Sequence, residues 1–233
     1  MTPEQEQEII ELRAKNLTPK LIARKLGLKV SEVSAFIKGQ AQQVALERAA
    51  SGTLDPIAEC LVNASCFDSL FGDKRQREAA EDSGVGGLGL VAVARTTGQD
   101  KFILCTYLVD YWCLGVKDMN GPRKLNGTKY KELLASSFGP FNDQEQKITL
   151  AQAQAIVLGA VNYAKELGLS PHKDFEKGGR EHLGEWNGEP QLTFGREGKP
   201  LYVSGPHDNP ERIIKTLRDN VGEGNFDYML GPI

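Results

Sequence analysis

Hydrophobic and polar positions follow two different spacings along the chain, and the change between them divides it. Over residues 1–50, apolar residues recur every three or four positions, which is typical of amphipathic helices. From residue 57 onward, short apolar and β-branched runs alternate with turn-forming residues, which is typical of strands. The pattern predicts a small all-α domain over residues 1–50, a linker over residues 51–54, and an α+β domain over residues 55–233 with an antiparallel sheet and packed helices.

Helix start and stop signals divide the first region into short helices. Thr2 and Thr18 are each followed by proline, a pair that favours a helix start because threonine caps free N–H groups and proline fits the first helical position. Gly27 and Gly39 are predicted to end the second and third helices. The expected elements are a helix from Pro3 to near Asn16 with Ile9, Ile10 and Leu12 buried, helices from Lys20 to Leu26 and from Ser31 to about Lys38, and a polar helix over residues 40–50.

The larger region is predicted to combine strands with several helices. Thr149–Leu167 is the strongest helix prediction, since Thr149 and Gln152 match a capping box and apolar residues fill one face. Gly98-Gln99-Asp100 indicates a hairpin turn. The other expected elements are strands at residues 57–62, 88–95 and 102–109, a second hairpin from strands at 192–194 and 201–203, an exposed charged helical insertion at 73–82 followed by a flexible return at Gly84, Gly86, Gly87 and Gly89, and helices at 130–138 and 209–217.

The segment from Ile22 to Phe36 carries the most specific pattern in the chain. Two helices that cross at a tight turn need a small residue at their contact, here Ala23, and a residue able to adopt a left-handed backbone, here Gly27. Apolar residues at fixed offsets complete a shared core. Residues 3–39 resemble the helix-turn-helix superfamily of DNA-binding proteins. The resemblance implies that the helix from Ser31 is a recognition helix for the major groove.

The resemblance also implies which side chains face DNA. Residues 1–50 carry eight Lys or Arg against six Glu, a net of +2, so the remainder of this −3 chain carries −5. Only the first region is therefore expected to approach phosphate groups. The outward positions of the predicted recognition helix have no Arg, Asn or Gln, so weak base discrimination and pairing of two copies on a two-fold site are expected. The predicted DNA-binding residues are Lys20, Arg24 and Lys25 for phosphates and Lys29, Val30, Ser31, Ser34, Ala35 and Lys38 on the recognition helix.

Composition narrows the class of protein. The chain has 233 residues, of which 40% are hydrophobic and 25% charged, which is ordinary for a soluble globular protein. It has no run of 18 apolar residues and no signal-peptide pattern after Met1, so no membrane partner and a cytoplasmic location are expected. Its cysteines lack the close pairing of zinc ligands and are interpreted as buried free thiols. These cysteines are Cys60, Cys66, Cys105 and Cys113.

Several polar residues of the larger region are candidates for catalysis. A carboxylate in an apolar strand needs a cation, a metal or hydrogen bonds, and an imidazole beside a carboxylate suits acid–base chemistry or a divalent metal. Each residue also has a structural alternative, such as capping a helix or pairing with Lys or Arg. No metal ligands are identified, and the cofactor is left unknown. The candidates are Asp110, Lys117, Asp118, His172, Asp174, Lys199, His207 and Asp208.

Two segments of the larger region resemble a family of uncharacterised bacterial proteins. The first segment consists of Leu108-Val109-Asp110 and Cys113-Leu114-Gly115-Val116-Lys117-Asp118. The second runs from Phe194 to Pro206. The resemblance covers residues 55–218 and implies one folded unit but no activity. The family lacks the helix-turn-helix and the insertion at residues 73–82. Its motifs contain Asp110, Lys117, Asp118, Lys199 and Asp208.

Three functional hypotheses follow from the sequence. The favoured one is a cytosolic DNA-binding regulator or adaptor whose α+β domain supplies dimerisation, a partner surface or an effector site. The second is a divalent-metal-dependent nuclease or other hydrolase targeted by the helix-turn-helix. The third is a protein-interaction scaffold without DNA binding. The first requires an exposed basic helical face, whereas the second requires the Asp and His candidates to converge in space.

Overall fold

The computed structural model describes residues 2–14, 17–37, 39–40, 53–83, 86–141 and 143–231, without the side chains of Ala14 and residues 81–83. The chain divides into two compact units, Met1–Asp55 and Pro56–Ile233. The first unit is helical, and the second combines a five-stranded antiparallel sheet with helices. The predicted α+β class is confirmed.

The first unit contains helices α1 (Pro3–Ala14), α2 (Pro19–Leu26) and α3 (residues 30–37). Both predicted starts are confirmed by their caps. Thr2 and Gln5 exchange backbone-to-side-chain hydrogen bonds of 2.9 and 3.3 Å, and the Thr18 hydroxyl accepts from the Leu21 N–H at 3.4 Å. Because threonine caps act locally, these helix starts are encoded in a few neighbouring residues.

The first unit differs from the prediction at two positions, one in its core and one at a helix end. Ile9 and Leu12 are buried with Ile22, Ala23 and Val33, but Ile10 is 42% exposed, so its predicted burial is wrong. The adjacent positions of a helix point in directions about 100° apart, and Ile9 takes the core side. Residues 39 and 40 have helical backbone, so the predicted stop at Gly39 is also wrong. Asn16, Lys38 and residues 41–50 of the polar helix predicted over residues 40–50 lie outside the described residues.

The sheet of the second unit has the strand order β4-β3-β2-β1-β5, and all four neighbouring pairs are antiparallel. A turn at Gln99 and Asp100 joins β2 to β3, as predicted, and Asp100 has a φ of +54°. The two edge strands were not predicted. Both are rich in polar residues. Polar side chains disfavour pairing of an exposed edge with another chain, and they leave no apolar strand pattern in the sequence. The strands are β1 (Ile57–Asn63), β2 (Leu88–Gly98), β3 (Lys101–Asp110), β4 (Gly115–Asn126) and β5 (Glu145–Ile148).

Helices cover both faces of the sheet. On one face, α7 (Leu150–Glu166) packs its apolar side on Val91, Val93 and Tyr107 in the largest core cluster. On the other face, α6 (Gly127–Phe138) contributes Tyr130 and Phe138 to a second cluster with Leu90, Ala92, Ala94 and Leu104 of β2 and β3. Successive side chains of β2 and β3 point to opposite faces of the sheet, so these strands contribute to both cores.

Smaller elements complete the second unit. The charged insertion is helical and mainly exposed, as predicted, although Ala80 is buried. None of the described helices combines the length and the apolar character that a bilayer crossing requires. The remaining elements are α4 (Ala64–Phe71), α5 (Lys74–Ser83), α8 (Arg180–Leu183), α9 (Pro210–Val221), β6 (Leu201–Val203) and β7 (Asp227–Met229).

The second predicted hairpin is wrong, although its strand at residues 201–203 is confirmed as β6. β6 pairs in parallel with β7, close to the C-terminus, and residues 192–194 do not form a strand. Phe194 is instead buried, and its ring stacks on Tyr163 of α7 with centroids 5.7 Å apart. Packing against α7 and pairing with a distant segment override the local strand pattern, because both contacts depend on residues far away in sequence.

The glycine-rich segment over residues 84–89, which runs into β2, was predicted to be a flexible return, and at two positions this is wrong. A Cβ on Gly87 would lie 2.3 Å from the Trp112 ring, and one on Gly89 would lie 2.3 Å from Cys66 Sγ. Both glycines thus permit close packing of larger side chains on the backbone. Gly84 lies outside the described residues.

Candidate functional site

The outer face of the first unit is formed by α2 and α3. Lys20, Arg24 and Lys25 of α2 are exposed, while Ile22 and Ala23 of the same helix are buried. Lys29 is exposed just before α3, and the exposed residues of α3 are Val30, which is 47% exposed, Ser31, Ser34 and Ala35. Lys38 lies outside the described residues.

The turn between α2 and α3 is sharp and closes on Gly27. Gly27 has a φ of +66°, and its N–H donates to the Ala23 carbonyl oxygen. The Leu28 N–H donates to the same oxygen at 2.9 Å. These bonds satisfy the Ala23 carbonyl in the last turn of α2 and turn the chain, so α2 and α3 are separate helices.

The third helix begins immediately after Lys29. The Lys29 carbonyl oxygen accepts from the Glu32 and Val33 N–H groups at 3.1 and 3.2 Å. The Glu32 carboxylate in turn accepts from the Lys29 N–H at 3.4 Å. The exposed first turn of α3 therefore presents Val30 and Ser31 beside the positive end of the helix dipole, which favours anions.

Charge is unevenly distributed over the first unit. No Asp or Glu occurs between Lys15 and Ser31, a segment that contains Lys20, Arg24, Lys25 and Lys29. Among the described glutamates of this unit, Glu4, Glu6, Glu8 and Glu11 lie on α1, and Glu32 lies in the first turn of α3. The α2–α3 face is thus more basic than the modest net charge of this region suggests, and a local basic patch is what attracts phosphate.

Asp110, the first catalytic candidate of the larger unit, is 4% exposed at the end of β3. Its Oδ1 accepts from the backbone N–H groups of Trp112 and Cys113 at 3.0 and 2.9 Å. Burial raises the pKa of the Asp110 carboxyl to about 6, while the Cys113 N–H and the nearby Lys117 ammonium act in the opposite direction. Asp110 therefore holds the turn from β3 to β4 by satisfying N–H groups that would otherwise be buried without partners.

Lys117 and Asp208 form a half-buried ion pair with 3.0 Å between Nζ and Oδ2. The same oxygen also accepts from the Gly205 N–H at 2.7 Å and the Tyr202 hydroxyl at 3.4 Å. Tyr202 and Gly205 were missed by the sequence analysis, although the three-residue spacing from Gly205 to Asp208 is a usable turn signal. The pair ties β4 to the loop before α9, where Asn209 caps the helix.

His172 lies between two carboxylates. Its Nε2 is 3.9 Å from Asp118 Oδ1, and its Nδ1 is 3.9 Å from Asp174 Oδ2. Nδ1 also accepts from the Asp174 N–H at 3.4 Å, and Asp174 Oδ1 lies 3.3 Å from Lys177 Nζ. Both distances to carboxylate oxygens exceed hydrogen-bond length, so neither carboxylate is hydrogen-bonded to the imidazole.

Three of the candidates line one cavity of about 200 Å³: Lys117, His172 and Asp208. The Lys117 ammonium and the Asp208 carboxylate are already paired there. Lys199 lies elsewhere in an exposed ion pair with Asp227, and His207 is exposed. Throughout the described part of the chain, no three His, Cys, Asp or Glu side chains are grouped as a metal site requires. The candidates therefore converge only in part.

The four cysteines are free and buried, as predicted. Burial raises the pKa of the Cys60 thiol to about 11 and that of Cys105 to about 12. Burial also raises the pKa of Cys66 and Cys113. The thiolate is the nucleophilic form, so these side chains act as packing residues at neutral pH.

No family model, no curated protein and no solved structure matches this chain. Both resemblances therefore depend on the motifs quoted in the sequence. Two features of the described residues are candidates for function: the basic α2–α3 face of the first unit and the cavity of about 200 Å³ in the second.

Proposed function

We propose that this protein is a DNA-binding regulator or adaptor that docks α3 in the major groove. The observation that supports this most is the exposed α2–α3 face, where every described residue of the predicted contact set is exposed. The Gly27 turn makes α3 a separate helix, and its outer side is free of the small core formed by Ile9, Ile22 and Val33. A helix presented in this way has the geometry of the recognition helix in helix-turn-helix proteins.

Phosphate contacts provide most of the binding energy in this proposal. Lys20 and Arg24 are one helical turn apart, Lys25 lies beside Arg24, and Lys29 precedes α3. These cations flank the groove-facing residues and contact the phosphates on both sides. Val30 and Ala35 contact thymine methyl groups, and Ser31 and Ser34 form single hydrogen bonds to base edges. One module therefore binds with low sequence selectivity, and two copies on a two-fold site raise it.

The second unit acts as the regulatory part in this proposal. Its candidate catalytic residues are largely engaged: Asp110 holds a turn, and Lys117 and Asp208 hold each other. A hydrolase of the kind considered in the sequence analysis needs carboxylates with free coordination positions around one ion. The described arrangement favours ligand or partner binding by the second unit over catalysis.

A salt titration tests the proposal. Binding of the full-length protein to a fluorescent duplex of mixed sequence is measured by anisotropy as the salt concentration rises. If the four described cations each neutralise one phosphate, the logarithm of the association constant falls against that of the salt concentration with a slope of about −3.6 per module. Absence of binding at low salt, or a slope near zero, contradicts the proposal and leaves a protein-interaction module.

Charge reversal locates the interface. Arg24→Glu with Lys25→Glu removes two contacts, so the binding constant falls and the salt slope becomes less steep by about 2. Lys129→Glu with Lys131→Glu, on exposed positions of α6 in the other unit, changes the net charge by the same amount and is the matched control. Equal losses in the two double variants would show attraction to the whole chain and not to the α2–α3 face.

A further inference from the structure

A groove of about 400 Å³ lies on the sheet face that α6 covers, at the C-terminal end of that helix. Its floor consists of outward-facing residues from three adjacent strands, among them Leu90 of β2 and Leu108 of β3, which pair directly across the two strands. Pro140 and Phe141, in the turn after α6, form part of its wall. The volume is within the range of sites for small organic molecules, and the residues named here are apolar.

Polar groups without partners interrupt this apolar surface. Thr106 is only 5% exposed, and its hydroxyl has no hydrogen-bond partner among the described residues. Asn120 pairs with it across β3 and β4, and Ser137 lines the same groove from α6. Neither side chain forms a hydrogen bond within the described part of the protein. The Thr106 hydroxyl is not among the buried side-chain groups that lack a partner, so it is accessible at the groove surface, where a bound ligand can hydrogen-bond to it.

Asp118 gives the groove its charge. It is the only ionisable residue among the described residues that line the groove, and it pairs with Leu108 across β3 and β4. Its Oδ1 accepts from the Met119 N–H at 2.8 Å and faces His172 at 3.9 Å. Its Oδ2 has no partner in the described structure, so it is available to a positively charged group or to another donor.

From this arrangement we propose that the groove is a binding site for a small organic cation with an aromatic or branched apolar body and an amine. The body lies on Leu90 and Leu108, and the ligand's polar atoms hydrogen-bond to Thr106 and Asn120. The ammonium group lies near Asp118 Oδ2. This function is independent of DNA binding, because every residue of the groove belongs to the second unit. It also assigns Asp118 to ligand binding instead of catalysis.

Three indole compounds of nearly equal size test the site: tryptamine as the cation, tryptophol as the neutral analogue and indole-3-acetate as the anion. Each is titrated into the full-length, ¹⁵N-labelled protein, and amide shift changes are followed by NMR. Tryptamine is expected to bind most tightly and indole-3-acetate least, with changes concentrated at residues 88–90, 106–108 and 118–120. No change at these amides with tryptamine at low-millimolar concentration overturns the proposal, as does tighter binding of the anion.

Thr106→Val separates ligand binding from stability. It removes the hydroxyl and keeps the shape, so the melting temperature is expected to change by less than about 2 °C while tryptamine binds at least about fivefold more weakly. A variant that had unfolded would show neither a melting transition nor tryptamine binding. Unchanged tryptamine affinity in Thr106→Val overturns the assignment of this hydroxyl to the ligand.

Asp118→Asn tests the charge. Because the Asp118 side chain is 68% exposed, its loss should weaken tryptamine binding only about three- to fivefold and leave tryptophol binding unchanged. Asp174→Asn is the matched control, since this carboxylate is equally distant from the same imidazole but does not line the groove. Equal effects of the two variants on tryptamine binding overturn the proposed contact.

Discussion

Gly27 shows how one residue can decide the shape of the first unit. Its φ of +66° lies in the left-handed region, where any residue with a Cβ is strained by about 1–2 kcal/mol and Asn is tolerated best. Apart from Gly27 itself, its chain neighbours and the adjoining helix backbone, no heavy atom of the described residues lies within 4 Å of the position that its Cβ would occupy. Glycine is therefore required here by backbone conformation alone and not by packing.

The first prediction concerns this turn. Gly27→Val is expected to destabilise the first unit by about 1–2 kcal/mol and to weaken DNA binding, because the orientation of α3 depends on the turn. Gly27→Asn, the matched control, should lose less stability and less DNA affinity than Gly27→Val. Thermal unfolding followed by circular dichroism gives the stability, and anisotropy gives the affinity. If Val and Asn behave alike, the left-handed backbone is not what the turn requires.

Asp110 illustrates a residue whose chemistry depends on burial. A carboxyl whose pKa rises on folding, here from 3.8 to about 6, binds its proton more tightly in the folded protein than in the unfolded chain. Its contribution to stability is therefore greatest below about pH 4 and falls as the pH rises to about 6. The opposite sign holds for the common exposed carboxylate in an ion pair.

The second prediction follows from that sign. The free energy of unfolding of the wild type, relative to Asp110→Asn, should decrease by up to about 3 kcal/mol between about pH 3.5 and pH 7. Urea titrations of both proteins across this range measure the difference. Asp73→Asn, an exposed helix-capping position, is the control and should show no such fall. A difference that is flat with pH would mean that Asp110 is ionised as readily as in the unfolded chain.

Among the elements, helices were predicted well and strands less so. The ends of α2, α7 and α9 depend on residues within four positions of each other, such as Thr149 with Gln152 or Asn209 with Arg212. These signals are local and therefore visible in the sequence. β4 and β5 are edge strands with polar residues, and β7 exists only through its pairing with β6. Their partners are distant, so no local pattern marks them.

The third prediction addresses the strongest of these local signals. The Thr149 hydroxyl accepts from the Gln152 N–H at 3.2 Å, and the Gln152 side chain accepts from the Thr149 N–H at 2.9 Å. Thr149→Ala should destabilise the second unit by about 1 kcal/mol, and Thr149→Ser should restore most of that. Chemical unfolding measures both. Equal stability of the Ala and Ser variants would show that packing on the sheet, and not the cap, determines where α7 begins.

At the scale of the whole molecule, the chain consists of two units with separate cores. The first has a small core around Ile9, Ile22 and Val33, and the second has a sheet packed on both faces. A unit that buries its own core should fold without the other. The proposed activities are divided in the same way, since the basic face belongs to the first unit and the groove to the second.

The fourth prediction tests this division. A fragment of residues 56–233 should unfold cooperatively, bind tryptamine as the full-length protein does, and show no salt-dependent DNA binding. Calorimetry, NMR titration and anisotropy are the three measurements. A fragment without a cooperative transition would mean that the second unit depends on residues 1–55, and one that still binds DNA would place the interface in the second unit.

The sequence by itself determined the class of the fold, the positions of most helices, the turn at Gly27 and the burial of the cysteines. These features depend on local backbone preferences and on the spacing of apolar residues. Only the tertiary structure showed that Lys117 meets Asp208 across 91 positions of sequence and that Thr106, Asn120 and Ser137 line one groove. The physical reason is that such contacts form only when distant segments pack together. The sequence around a polar residue does not show which partner it has in the folded protein, or whether it has one.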